Sequence, residues 1–377
     1  MTESIIIRNF GPLKEIEIQD LRPFVFLIGP SGSGKSTLLK VVAMMRWIYK
    51  MICIRSYLNY SGIKVSTFSI DFKRQMKLLG LDSFIHGDTY IEYHYGTFSV
   101  VYDKKLKMVK KRIDQNELSL EKLSFISDKR GIIGDLLEHN LSLKKRSFYA
   151  NETFEDYMTA TEAIRTFDIP GLGVRLNVKK NSNGEKHLIE PQDGDNYSIL
   201  LKDASSGTQS SIPLSLIVEY YTKQFDIVAS LNDSVFSYVS KSDSLKDFRA
   251  VTNVGELPNK RVSLFIEEPE ISLYPMTQKT LMDSIISSCN SVADYQMNLM
   301  VATHSPYIIN HLNVMLRRGR ENGGVDAPDL GVYLVQQGRL CDLIAEDLDT
   351  GEKVVDATEL SEPMEDIFRH SLKLPCL

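Results

Sequence analysis

The stretch Phe24-Val25-Phe26-Leu27-Ile28-Gly29-Pro30-Ser31-Gly32-Ser33-Gly34-Lys35-Ser36-Thr37 constrains the chain more than any other. Phe24 to Ile28 is a continuous apolar run, the pattern of a buried strand. Gly29 to Ser36 is a complete GxxxxGK[ST] match, and Leu38-Leu39-Lys40-Val41-Val42 continues with helical character. Strand, glycine loop and helix are the context that a phosphate-binding loop requires. Its glycines let backbone N–H groups curl around phosphates, and the helix N-terminus adds partial positive charge. In such a loop Lys35 reaches the β- and γ-phosphates of a nucleotide, and the Ser36 hydroxyl ligates Mg²⁺. The whole stretch Gly29, Pro30, Ser31, Gly32, Ser33, Gly34, Lys35, Ser36 and Thr37 is therefore a candidate nucleotide contact.

Two later strands end in chemistry. Arg261-Val262-Ser263-Leu264-Phe265-Ile266 runs into Glu267-Glu268-Pro269-Glu270. Successive strand residues point to opposite sides, so the two adjacent acids can do different work. One can hold Mg²⁺ while the other orients or deprotonates an attacking water. Leu299-Met300-Val301-Ala302-Thr303 then leads into His304-Ser305-Pro306. A histidine at the carboxyl end of a strand in an α/β sheet is placed for ligand contact. A neutral imidazole there can hydrogen-bond a γ-phosphate oxygen or the water.

Between these lies the uncharged stretch Ser205-Ser206-Gly207-Thr208-Gln209, just ahead of Ile212-Pro213-Leu214-Ser215-Leu216-Ile217-Val218. The apolar run reads as a helix start with Pro213 near its first turn, capped by Ser205 or Ser206. A helix N-terminus attracts anions, so the hydroxyls and free N–H groups can bind a phosphate. The chain already has one phosphate loop, so the phosphate bound here can belong to a partner's site.

In this order, the stretches resemble the ABC-type ATPases, and among them the branch of structural-maintenance, RecF-like and OLD-like "AAA" proteins. The resemblance implies that Gly29–Ser36 is Walker A and Leu264–Glu267 is Walker B. It makes Glu267 a Mg²⁺ ligand beside Ser36, Glu268 the catalytic glutamate and His304 the switch histidine. Ser205–Gln209 takes the place of the LSGGQ signature, with Ser206, Gly207 and Gln209 as nucleotide contacts. Ser272-Leu273-Tyr274-Pro275 falls at the D-loop, and the opening Ile5–Leu13 at the first hairpin, which covers the nucleotide in that branch. Glu267 stands where Asp is usual, Ser205 replaces the signature Leu, and Thr208 replaces its second glycine. Gln75 and Gln115 both remain candidates for the Q-loop glutamine. The implied fold is α/β: a P-loop NTPase of ABC-ATPase type, with a mixed central sheet, an antiparallel β layer and a helical insertion. In that family two protomers face each other head to tail, with two ATP molecules between them.

Residues 51–200 carry no heptad repeat, which excludes a long coiled-coil arm. Thr89–Asp103 alternates around Gly96 like a hairpin, while Leu118–Tyr149 and Glu152–Arg165 read as helices. The expected organisation is an ATPase core of residues 1–112 and 196–340, a helical insertion at 113–195 and an acidic tail at 341–377. Gly331–Val335 reads as a further strand, and Asp347-Leu348-Asp349 as a chance DxD in the tail. Lys104–Arg112 and Lys144–Arg146 are basic clusters that fit either DNA phosphates or a solvated sheet edge.

A net charge of −5 excludes a polycation, and the four cysteines show no metal or disulfide spacing. No run approaches the roughly 18 apolar residues of a membrane span, and no secretion signal opens the chain. A cytoplasmic protein with no membrane partner is expected. The expected function is an ATP- and Mg²⁺-dependent switch that forms a homodimer or higher assembly. Having no nuclease motif of its own, it would control a separate effector, a nuclease, in bacterial anti-phage defence. The alternative is a RecF-like ATPase clamp that holds DNA through Lys104–Arg112.

Overall fold

The computed structural model describes residues 2–62, 70–108, 112–139, 147–181, 184–193, 197–230 and 259–360, with a few isolated residues outside these spans. Among them the strands are β1 (Glu3–Phe10), β2 (Leu13–Ile18), β3 (Phe24–Ile28), β4 (Ile85–Tyr95), β5 (Phe98–Asp103), β6 (Lys105–Met108) and β7 (Ser119–Ile126). They continue with β8 (Thr166–Asp168), β9 (Val174–Asn181), β10 (Gly184–Pro191), β11 (Ile199–Leu200), β12 (Asn259–Glu267) and β13 (Gln296–Thr303). Last come β14 (Leu330–Gln336), β15 (Arg339–Asp342), β16 (Ile344–Glu346) and β17 (Lys353–Val355). The helices are α1 (Lys35–Tyr60), α2 (Phe72–Leu78), α3 (Ile133–His139), α4 (Phe148–Ala163), α5 (Ser206–Lys223), α6 (Pro275–Asn290) and α7 (Pro306–Arg318).

Eleven strands form one mixed sheet in the order β6-β5-β4-β1-β2-β15-β14-β3-β13-β12-β7. The five from β14 to β7 run parallel. Such strands are buried on both faces, and β3 and β13 accordingly read as unbroken apolar runs. The wing from β2 to β6 is antiparallel, and core and wing meet where β15 pairs with β2 through the single register pair Arg339↔Glu15. Helix α1 covers the parallel half, with Leu38, Val41, Val42, Ile48 and Ile52 at 0% exposure. β8–β11 form a separate four-stranded sheet, and β16–β17 a hairpin.

A charged cluster lies under the sheet. Glu3 on β1 accepts from Arg46 Nε of α1 at 2.7 Å and from Arg261 Nη1 of β12 at 2.8 Å. Arg261 Nε also donates to both carboxylate oxygens of Glu121 on β7, at 2.9 and 3.0 Å. Tyr93 OH donates to Glu3 at 2.7 Å and Arg46 Nη1 to Ser263 Oγ at 3.1 Å. Burial raises the Glu3 carboxyl, but the two guanidinium charges and the hydrogen bonds outweigh it and hold the group at about 2.

Three expectations change. The segment 118–149 is not helical throughout: β7 occupies Ser119–Ile126 and pairs in parallel with β12. Leu120, Leu123 and Glu121-Lys122 have helix-like spacing and composition, but Glu121 is buried because Arg261 neutralises it. Residues 113–195 therefore hold a strand of the main sheet and the small sheet β8–β11 as well as α3 and α4. Helix α5 begins at Ser206, not near Ile212: Ser205 Oγ accepts from the Thr208 N–H at 3.3 Å, and Pro213 lies inside the helix. The tail is structured in part, with β17 packed beside α7 and β16 against β14. Asp347 closes the turn between them by accepting from the N–H groups of Asp349 and Thr350.

The hairpin around Gly96 and the strand at Leu330–Gln336 lie where the sequence places them, and the helix expected at Glu152–Arg165 runs from Phe148 to Ala163. Lys105–Met108 is the edge strand of the sheet; residues 109–111 and the cluster Lys144–Arg146 lie outside the described residues. Arg112 stacks over the Tyr60 ring at 3.8 Å. No helix among the described residues is long and apolar enough to cross a membrane.

Candidate functional site

β7, β12, β13 and β3 are neighbours and parallel, so their carboxyl ends come out together. The register pairs Glu267 with Ala302, Ala302 with Leu27 and Thr303 with Ile28, which leaves the strand ends nearly flush. The loop after β3, the acids after β12 and the histidine after β13 therefore share one rim, where open α/β sheets bind ligands.

Residues 29–34 curl from β3 into α1. Gly34 has φ 108, and a Cβ there would sit 2.5 Å from Leu13 Cδ2 and 3.2 Å from Pro12 Cγ. Only glycine fits where the β1–β2 turn presses on the loop. Helix α1 starts with no side-chain cap and no acidic residue in its first turn, so its first N–H groups are available to an anion. Ser33 Oγ is buried without a hydrogen-bond partner, a further donor for a phosphate oxygen. Ser31 and Gly32 face solvent; Ser36 and Thr37 lie in the first turn of α1.

Lys35 is buried at the mouth of the loop, donating to the Gly29 and Pro30 carbonyls at 2.7 and 3.0 Å. Burial pushes its ammonium down to about 8, against the opposing pull of Glu268 and Glu270. Its Nζ lies 3.5 Å from His304 Nδ1, and His304 Nε2 lies 3.5 Å from Glu268 Oε1. The structure thus brings the loop lysine, the histidine and the second acid into one contact chain. Burial raises the Glu268 carboxyl above its ordinary value; His304 opposes this, while Glu270, Asp128 and Glu267 add to it. A carboxylate shifted in this direction is a stronger base at neutral pH.

Glu267 points elsewhere, as the alternation of a strand requires. Its carboxylate is buried and paired with Lys40 Nζ at 3.1 Å, one turn along α1 from Ser36. Lys40 itself lies over the rings of Tyr149 and Phe125, at 5.6 and 6.0 Å. Among the described residues no cluster of three or more His, Cys, Asp or Glu side chains forms a metal cage. Ser36 carries a hydroxyl and Glu267 a carboxylate, oxygen donors of the kind Mg²⁺ takes, although here Lys40 holds the carboxylate.

Glu268 has φ 44 and Ser272 φ 57, both left-handed without being glycine. Such residues cost of order 1–3 kcal/mol each and persist only where their surroundings over-determine them. The Glu268 N–H donates to the Ala302 carbonyl at 2.7 Å. Glu270 Oε1 accepts from the His304 N–H at 2.5 Å and so fixes the histidine's loop.

The N-terminus of α5 is exposed at Ser205 and Ser206. Gly207 packs closely: a Cβ there would meet the Ser272 carbonyl at 2.7 Å. Ser210 Oγ bonds the Ile271 carbonyl at 3.0 Å. Gln209 turns back on its own chain, donating to the Lys202 and Ala204 carbonyls at 2.6 and 2.9 Å. No hydrogen bond or ion pair among the described residues joins Ser206 or Gly207 to residues 29–37.

Reading β7 as helix hides what its end carries. Gln75 lies on α2 and Gln115 in a 3-10 turn before β7, while the strand end beside Glu267 presents Ser127 and Asp128. Arg130 follows, 1% exposed, donating to the carbonyls of Ser127, Ser210, Glu267 and Glu268. Burial draws its guanidinium down to about 10, with Glu270 and Asp128 opposing, so it stays charged at neutral pH. The sequence signal was present in Phe125-Ile126-Ser127-Asp128, an apolar run ending in polar residues as the other three strands do.

A profile of the family described as "AAA ATPase domain" matches residues 83–309, from beyond α2 through the acids and the histidine, with the glycine loop lying before the matched span. No curated protein matches the chain. Among solved structures, the SmcHead bound to the C-winged helix domain of ScpA is similar at 11% identity and a TM-score of 0.38. That likeness covers 97% of this chain and 99% of the other. The SMC head domain from Thermotoga maritima is similar at 12% identity and a TM-score of 0.37, over 92% of this chain and 100% of its own.

Proposed function

Because the chain belongs to the AAA ATPase domain family, we propose that it is an ATP-hydrolysing switch that closes head to tail with a second copy around two Mg-ATP. In that state it controls a separate effector protein, a nuclease, in bacterial anti-phage defence. The observation that supports the switch most directly is the contact chain Lys35–His304–Glu268. It sets a cation for the γ-phosphate, a hydrogen-bonding imidazole and a base within reach of one another. Mg²⁺, held by Ser36 and Glu267, would supply charge neutralisation at the phosphates. The strand ends and loop bind and orient; Glu268 takes the proton of the attacking water. Ser206, exposed at a helix N-terminus, and the buried Gly207 beside it, both unconnected to their own loop, would complete the partner's site.

Two variants test this together. Lys35→Ala removes a charged donor buried in the loop and should weaken ATP binding at least about a hundredfold. Ser206→Arg should abolish hydrolysis while a single protomer still binds ATP. Mixing the two should restore part of the activity, since a mixed dimer has one intact site. Mixtures that stay inactive would rule out a site shared between copies.

A second reading, a clamp that holds DNA, draws on Lys104, Lys105 and Lys107, exposed at the edge of the sheet. Stimulation of the ATPase by duplex DNA, lost on neutralising these lysines, would favour it over the effector switch.

A further inference from the structure

Arg130 is buried beneath the strand ends that carry the site, 1% exposed. Its guanidinium spends its donors on main-chain carbonyls from three segments. Nη1 donates to Ser127 at 3.1 Å, at the end of β7, and to Glu267 at 2.7 Å. Nη2 donates to the Glu268 carbonyl at 2.6 Å. Nε donates to the Ser210 carbonyl, in the first turns of α5, at 2.9 Å. Backbone carbonyls at strand ends and turns need donors when buried, and one planar fork serves all of them here.

Two of these contacts fall on the peptide that carries the candidate base. Glu268 is left-handed at φ 44, and its carbonyl is bonded by Arg130 while its N–H is bonded by Ala302. The peptide is therefore gripped from both sides in a conformation that it would otherwise leave. The third contact runs to the helix whose N-terminus is offered to the partner. A second link runs parallel to it: Ser210 Oγ reaches Ile271, and Gly207 abuts Ser272, three and four residues past Glu268.

We propose that Arg130 is a positioning residue: it holds Glu268 in its left-handed backbone conformation and makes that conformation depend on the placement of α5. The base of one site is thereby set by the helix that serves the opposite site. This rests on the ATPase reading above. A lysine cannot replace the fork, because a single ammonium cannot reach carbonyls lying in several directions in one plane.

The test compares wild type, Arg130→Lys and Glu268→Gln for ATP affinity, kcat and melting temperature. Arg130→Lys should lower kcat about a hundredfold, the scale of a base displaced by about an ångström. Its Kd for ATP should stay within about twofold of wild type, since the loop and Lys35 are untouched. Adding guanidinium ion to Arg130→Ala should restore part of kcat without changing Kd. Wild-type kcat in Arg130→Lys would overturn the proposal. A variant that melts early and loses ATP affinity along with kcat would also overturn it, in favour of a packing role alone. A wild type that does not hydrolyse ATP, or a Glu268→Gln that hydrolyses it normally, would instead sink the ATPase reading and this inference with it.

Discussion

Glu268→Gln is expected to bind ATP as the wild type does and to hydrolyse it about 100- to 10,000-fold more slowly, the range that a general base contributes. The substitution keeps size and backbone and removes only the proton acceptor. The same change should let the nucleotide-bound dimer accumulate, visible as a doubled mass in solution. Wild-type turnover in this variant would remove Glu268 from the reaction. The wild-type rate should also fall on acidification sooner than for an ordinary carboxylate, because burial raises the Glu268 carboxyl. Purified from its native host with ATP, the trapped protein should carry its effector. A bare dimer rich in nucleic acid would favour the DNA clamp.

Glu3→Gln is expected to destabilise the fold by about 3–5 kcal/mol, the cost of breaking a buried ion pair by removing one partner. Among the described residues, Arg46 would lose the one carboxylate paired with it and Arg261 one of two. Urea unfolding of the two proteins measures the difference; a loss below about 1 kcal/mol would mean that the cluster contributes little. The same carboxylate sets an acid limit. Its folded value of about 2 lies below the ordinary 4.5, so its contribution is complete above 4.5 and is lost as pH falls towards 2. Wild type should weaken across that window more than Glu3→Gln does.

Strands that end in functional groups were legible where the apolar run was long and pure. β3, β12 and β13 announce themselves through Phe24–Ile28, Val262–Ile266 and Leu299–Ala302, with the chemistry one or two residues on. β7 did not, because a strand holding a buried Glu121 does not look apolar until its partner, Arg261, 140 residues away, is known. That misreading hid Asp128 and Arg130 and left Gln75 and Gln115 as stand-ins. The start of α5 was blurred for a different reason. Ser, Gly and Thr have low helix propensity, and only the Ser205 cap and the packing of Gly207 on Ser272 make that turn helical. The left-handed backbone of Glu268 has no local signature, since a glutamate there is held by tertiary contacts alone.

The single register pair between β15 and β2 gives the eleven-stranded sheet an unequal toughness. Elsewhere neighbouring strands are zipped together along their length, but this seam holds one register pair and the Lys14 and Glu15 N–H groups donating to the Gly338 carbonyl. The wing is kept in step with the core by Glu3, gripped by one arginine from the phosphate-loop helix and one from the acidic strand. Glu3 is thus a charged pin between wing and core that works beside the seam's own bonds. A displacement of α1 would therefore bear on β1 through the Arg46–Glu3 pair, and through β1 on the strands beyond it.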